Sequence, residues 1–302
     1  MCPYYEQVSR QNSADVDRLE LDPQTGAMDP NRAVKAFARS TAGKESELPS
    51  DVRPPSVLLR TLNYLTQEFL GSEDTLLQSY NFMRDRTRAI RQDLTLQNSR
   101  GREAVEINEQ IARYHIIALH TARQKSGFNF TQELEQLEKV LTSLREFYED
   151  LRAEGIACPN EPEFTAYYIL VSLFQCQSLT TVQALPRQIF MAPIVQLALD
   201  LHGCAQYSHG PTHKLPWRIS NCQSSPFLFR RFFKLLQSDA VPYLMACVVE
   251  INLPVVRRNI LHALNRSIQH NPGHEHSTET MRTLLGLDSI SEVVKLCNAH
   301  GI

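Results

Sequence analysis

Phe82-Met83-Arg84-Asp85-Arg86-Thr87-Arg88-Ala89-Ile90-Arg91-Gln92-Asp93-Leu94 reads as one amphipathic helix. Met83, Thr87, Ile90 and Leu94 recur at spacings of four, three and four, which puts them on one face at 3.6 residues per turn. Outward from this stretch the period repeats. Leu58, Leu62, Leu65 and Phe69 precede it; Ile107, Ile111, Tyr114 and Ala118 follow; Leu134, Leu137, Leu141, Leu144 and Tyr148 make a fourth stripe. The stripes are separated by short breaks at Gly71-Ser72, Asn98–Gly101 and Ser126–Asn129, with a longer one at 155–162. Short connections between amphipathic helices suit antiparallel pairs packed side by side. The sequence therefore predicts an all-α fold of stacked antiparallel helical pairs, with no repeat of fixed period in the letters.

Residues 1–54 differ from the rest. Pro3, Pro23, Pro30, Pro49, Pro54 and Gly26 interrupt them, and apolar residues are sparse. They predict an extended arm that lies on its own fold or is disordered, with one short helix near Arg32–Arg39. Pro54-Pro55 marks the start of the first long helix, since proline suits the first helical turn and disfavours helix in the residue before it. The segments 164–177 and 189–201 are apolar around more than one face and read as helices buried between neighbours. Four pieces result: an arm over 1–54, a helical-repeat region over 55–204, a connecting loop over 205–223, and C-terminal helices over 224–302. In the last piece, two short helices joined at Gly286–Asp288 read as the start of a helix-turn-helix, with Ser289 as N-cap and Gly301 as C-cap. A winged helix needs a β-hairpin after that point, so the chain is expected to stop inside such a module.

Composition narrows the function. Lys plus Arg is 31 against Asp plus Glu 33, a net charge of −2, which argues against a highly basic nucleic-acid coat and leaves room for a local basic patch. The seven cysteines are odd in number, and no two have the spacing of a metal or redox pair, so reduced thiols are expected. The N-terminus lacks a basic start followed by an apolar run. No uninterrupted apolar stretch approaches the roughly 18 residues a bilayer span needs, so no membrane partner is expected. There is no glycine-rich phosphate loop, HExxH or nucleophile elbow, and neither enzymatic activity nor a cofactor is expected. His202, Cys204, His209, His213 and Cys222 crowd one region, but their spacing matches no common zinc framework, and no metal is assigned.

Two basic sets remain. Arg84, Arg88 and Arg91 share a helix face, with Arg86 on another; they suit either an oxyanion or acidic partner, or ion pairs with a ridge formed by Glu103, Glu106 and Glu109 on the next helix. Arg230 and Lys234, then Arg257, Arg258, His262 and Arg266, give the highest local basic density in the chain, suited either to phosphate contacts or to an ordinary solvated face. Phe227, Phe229, Phe232 and Phe233 fit a core better than a base-stacking platform.

Several ordered blocks resemble the GANP family of nuclear mRNA export scaffolds. They are Met1-Cys2-Pro3 through Glu6; Asp29-Pro30; Val34-Lys35-Ala36-Phe37 with Arg39-Ser40 and Ala42; Pro49 through Pro55 with Leu58 and Tyr64-Leu65. The most diagnostic is Phe82, Arg84 through Arg88, Ile90 through Asp93, and Gln97, continued by Glu109, Arg113 and His115. Asn160-Glu161, Glu163-Phe164 and Tyr167-Tyr168 extend the similarity, which covers residues 1–170 by motif and the remainder by architecture. The resemblance implies a PCI-type helical repeat ending in a winged helix, in the central subunit of the TREX-two complex. It implies a nuclear location at the envelope and pore, a second PCI-domain subunit and a small acidic subunit as partners, and RNA or another nucleic acid as ligand. The nuclear pore and the export receptor would be reached through regions outside this chain, which looks like a middle region or a short member. The alternatives are a PCI subunit of another RNA-processing, proteasome-lid or translation-initiation assembly, or a stand-alone nucleic-acid-binding module.

Overall fold

The computed structural model describes residues 1–39, 48–174, 177–205, 228–267 and 277–301, leaving aside the side chains of 177–178 and 265–267. The chain is all-helical: among the described residues there is no strand, only an isolated bridge between Leu21 and Met28. It forms two compact units, Met1–Cys158 and Pro159–Ile302.

In the first unit, α1 spans Tyr4–Asn12, α2 Pro55–Phe69, α3 Glu73–Leu96, α4 Arg102–Thr121 and α5 Phe130–Ala153. The starts follow from local chemistry. Pro55 opens α2, where a missing amide hydrogen costs nothing. Ser72 caps α3 by accepting from the Thr75 amide, and Asn129 caps α5 by accepting from the Gln132 amide. The apolar stripes turn inward together: Leu58, Leu62, Leu65, Met83, Ile90, Ile107, Ile111, Leu137 and Leu144 are fully buried. Helix α4 packs on α2, α3 and α5 and is the most enclosed. Truncating one of its isoleucines to alanine removes apolar burial and leaves a cavity, at a cost of about 2–5 kcal/mol.

The second unit comprises α6 Glu161–Val171, α7 Gln177–Gln183, α8 Arg187–Phe190, α9 Pro193–Ala205, α10 Phe229–Leu236, α11 Tyr243–Glu250, α12 Leu253–Ser267, α13 Thr278–Leu285 and α14 Ile290–His300. Helix α6 packs against α9 and α11, α10 against α9 and α13, and α13 against α14. Asn252 Nδ2 donates to the Leu170 carbonyl at 2.9 Å, satisfying an open end of α6. Ser277 and Ser289 cap α13 and α14 by accepting amide hydrogens, and Gly286 and Gly301 close those helices in the left-handed conformation. Residues 206–227, including most of the anticipated 205–223 loop, lie outside the described residues, as do His209, His213, Cys222 and Phe227.

The short helix anticipated near Arg32–Arg39 is not there: Ala33 through Arg39 are not helical. The arm's helix is instead α1, with single 3-10 turns at Arg18–Glu20 and Pro49–Asp51. The reason is competition for backbone amides. Val34 N donates to the Glu20 carboxylate at 2.9 Å, Ala36 N to Glu6 at 2.7 Å, and Phe37 N to Asp85 at 3.0 Å. Side-chain acceptors claim the amides that a helix would direct to its own carbonyls.

Candidate partner and nucleic-acid interfaces

The arm is locked to α3 by two buried carboxylates. Glu20, fully buried, accepts from the Val34 amide, from both terminal nitrogens of Arg10, and from Arg86 Nη2 at 3.0 Å. Burial raises the Glu20 pKa, but the Arg10 hydrogen bonds, the Arg86 charge and the Val34 amide outweigh it and hold the carboxyl below its ordinary value. Asp93, also fully buried, accepts from Lys35 Nζ at 2.8 Å and from Arg53 Nε at 2.7 Å. Lys35 Nζ reaches the Asp51 carbonyl as well, and Gln97 Nε2 donates to the Arg53 carbonyl at 2.7 Å. Cys2 lies buried in a small cluster with Met28 and Ala33, and burial pushes its thiol up to about 12, so it stays protonated.

The four arginines of α3 do different jobs. Arg84 reaches α5, with Nε 3.3 Å from Glu133 and Nη2 2.9 Å from Gln132. Arg86 is buried between Glu20 and Asp85, with its guanidinium 4.6 Å from the Phe82 ring centroid. Arg88 stacks over Phe37 of the arm at 3.8 Å. The carboxylates that meet this set are thus Glu133, Glu20 and Asp85, not the anticipated ridge on α4; Glu109 instead accepts from the Tyr148 hydroxyl at 2.7 Å. Arg91 makes no ion pair with a described residue and lines the open groove between α3 and α5. Burial and the charge of Arg88 pull its guanidinium down to about 10.

Glu133 is the hub of a second buried cluster. Its oxygens meet His115 Nδ1 at 2.6 Å and the Tyr80 hydroxyl at 2.7 Å, and the Tyr114 hydroxyl donates to the Tyr80 carbonyl. Burial raises the Glu133 carboxyl, and the His115 and Tyr80 hydrogen bonds with the Arg84 charge reverse the effect, leaving it below its ordinary value.

In the second unit the basic residues divide. Arg230 and Lys234, one turn apart on α10, are exposed and line an open groove of ≈ 380 Å³ together with Phe233, Gln237, Thr283 and Leu284. Among the described residues no carboxylate lines this groove. Arg258 and His262 are exposed on α12, and the His262 ring lies 6.3 Å from that of His300. Arg257 is turned inward: Nε donates to the Leu285 carbonyl at 3.0 Å and Nη2 to the Gly286 carbonyl at 2.7 Å, where it closes the C-terminal end of α13. The Arg266 side chain lies outside the described residues. Phe232 and Phe233 are buried and stack edge to face. Among the described residues no cluster of His, Cys, Asp and Glu could hold a metal, and no helix is long and apolar enough to cross a membrane.

The residues least visible in advance were the arm's own charges, Arg10, Glu20, Lys35 and Arg53. One signal pointed to them: Lys35 stands inside the apolar run Val34-Ala36-Phe37, and a charge so placed needs a buried partner.

The SAC3/GANP family model matches residues 1–302, the whole length. The chain belongs to the SAC3/GANP family. It is 43% identical to SAC3 family protein 1 of Schizosaccharomyces pombe over all of its own length and 29% of that relative. It is 33% identical to Protein xmas of Drosophila melanogaster, with 82% of this chain and 12% of the relative covered. With SAC3 family protein B of Arabidopsis thaliana the identity is 30%, over 100% of this chain and 17% of the relative. This SAC3/GANP chain therefore spans less than a third of the length of these relatives.

Proposed function

We propose that this chain is a non-enzymatic scaffold region of a TREX-two-like complex, which couples transcription to mRNA export at the nuclear envelope and pore. On this reading the first unit and its arm hold a second PCI-type subunit, with a small acidic subunit alongside. The C-terminal helices form the start of a winged helix and bring basic side chains to RNA. Regions outside this chain would recruit the export receptor and anchor the assembly at the pore.

The observation that carries the reading is the family match over the whole length. Two features support it. The arm is fixed by buried charge rather than left free, so it presents a defined surface. The groove beside α10 collects Arg230 and Lys234 with no opposing carboxylate among the described residues of its lining, which suits phosphate. Rigid helices that hold two weak phosphate-binding surfaces together raise affinity through effective concentration.

The test is co-expression with a second PCI-type subunit, followed by mass measurement and a salt titration of RNA affinity. A stoichiometric complex whose RNA affinity falls with salt supports the scaffold. A chain that stays alone, with RNA binding indifferent to salt, overturns it.

A further inference from the structure

Arg91 is the one α3 arginine of the four whose guanidinium has no carboxylate or aromatic partner among the described residues. It stands where two open lobes of the α3–α5 groove meet: one of ≈ 410 Å³, the other of ≈ 170 Å³, both lined by Arg91 and Ser143. It is half-buried, so it has lost part of its hydration without gaining a counter-charge. A guanidinium in that condition gains more from an incoming carboxylate than one on an open surface does.

The rest of the lining selects the kind of anion. The larger lobe carries Glu135 and Glu138 against Arg91 and Lys139, so its charges balance. The smaller lobe adds Glu146, and the Arg100 there is already paired with Asp150 at 2.9 Å. An RNA backbone or a phosphate dianion would meet three carboxylates, Glu135, Glu138 and Glu146, against the two cations Arg91 and Lys139. A single carboxylate on a chain of mixed charge would not. Its carboxylate takes Arg91, its own cations match Glu135 and Glu138, and its backbone meets Thr142 and Ser143.

We propose that the α3–α5 groove docks a segment of a second protein through an acidic side chain placed on Arg91. This rests on the scaffold reading and deepens it, assigning protein contact to this groove and leaving phosphate to the groove beside α10.

Two measurements on the full chain test the inference separately from the scaffold reading. In the first, a twelve-residue alanine-serine peptide carrying one glutamate and two lysines is titrated against the wild type. It is then titrated against Arg91→Glu, Arg91→Lys and, at an exposed lysine of α14, Lys295→Glu, with thermal melts to verify folding. The wild type binds in a salt-sensitive manner, Arg91→Glu weakens binding about tenfold or more, the equivalent of about 1.4 kcal/mol, Arg91→Lys retains part of it, and Lys295→Glu matches the wild type. No binding by the wild type, equal binding by Arg91→Glu, or displacement of the peptide by inorganic phosphate or oligouridylate overturns the proposal. In the second, the complex with a co-expressed PCI-type subunit is weighed with and without Arg91→Glu. If the wild-type complex forms and the variant complex is equally stable, the groove is not a docking site and the scaffold reading stands. If no wild-type complex forms, the scaffold reading fails and the peptide titration alone decides the groove.

Discussion

Asp93 Oδ2 accepts the Arg53 Nε hydrogen at 2.7 Å, and neither side chain is more than 5% exposed. The other oxygen of Asp93 takes Lys35. One helix carboxylate thus pairs with two cations brought by the arm from opposite sides of residues 40–47. Replacing Asp93 with alanine removes the carboxylate both buried cations share, which costs about 3–5 kcal/mol. Chemical denaturation of the full chain should show that loss. Lys35→Met in the Asp93→Ala background should recover part of it, because a double replacement removes the stranded charge.

The acid side of the stability profile follows from Glu20 and Glu133. Both carboxyls are held below 4.5, their ordinary value. A depressed carboxyl contributes stability that is complete above the unfolded value and fades as pH falls through the folded value. Glu6 carries the opposite sign, since burial raises it, and so acidification relieves rather than removes its contribution. The two depressed groups outnumber it, so the first unit should lose stability below about pH 4.5. Glu20→Gln should be less stable at neutral pH and flatter in its acid response, read from urea midpoints across the acid range.

How far the letters foretold this structure depends on which force set each part. Leu58, Met83, Ile107 and Leu137 are buried as their spacing predicts, because helical period is a local property and each stripe had only to find a neighbour. The breaks at Gly71-Ser72 and Asn98–Gly101 fall between helices for the same reason. The arm was less legible. Ala33 through Arg39 look capable of helix, and only the distant carboxylates of Glu20, Glu6 and Asp85 decide otherwise. Likewise Arg257 and Arg258 are neighbours of equal charge, and the fold alone turns the first onto a helix end and leaves the second in solvent. Pairings across long separations carry no periodic signature.

Gly286 should tolerate no side chain. Its φ is +58°, and a Cβ would sit 2.5 Å from Phe233 Cδ1 and Cε1. The ring is buried and stacked on Phe232, so it has little room to yield. Gly286→Ala should destabilise the second unit by about 1–3 kcal/mol through left-handed strain and overpacking together. In a Phe233→Val background the same replacement should cost only the backbone part, roughly 1 kcal/mol. Thermal denaturation of the four proteins of this cycle measures the coupling between the two sites.

Arg257 and Arg258 give the sharpest separation between packing and binding. Arg257 closes α13 through two carbonyls, so Arg257→Met should lower the melting temperature and change RNA affinity only as far as folding is lost. Arg258 is exposed, like Arg230 and Lys234, so Arg258→Glu or Arg230→Glu should leave the melting temperature near the wild-type value. If these side chains meet phosphate, each replacement by glutamine should also reduce the slope of log affinity against log salt by about 0.7, the release expected for one single-strand phosphate contact. Weakening should be uniform across RNA sequences, because a phosphate contact carries no base information. Fluorescence anisotropy with oligouridylate and a mixed-sequence RNA, at several salt concentrations, checks both properties at once. An unchanged slope in the Arg230→Gln and Arg258→Gln proteins would remove these residues from any nucleic-acid surface and return them to the solvated face of a scaffold helix.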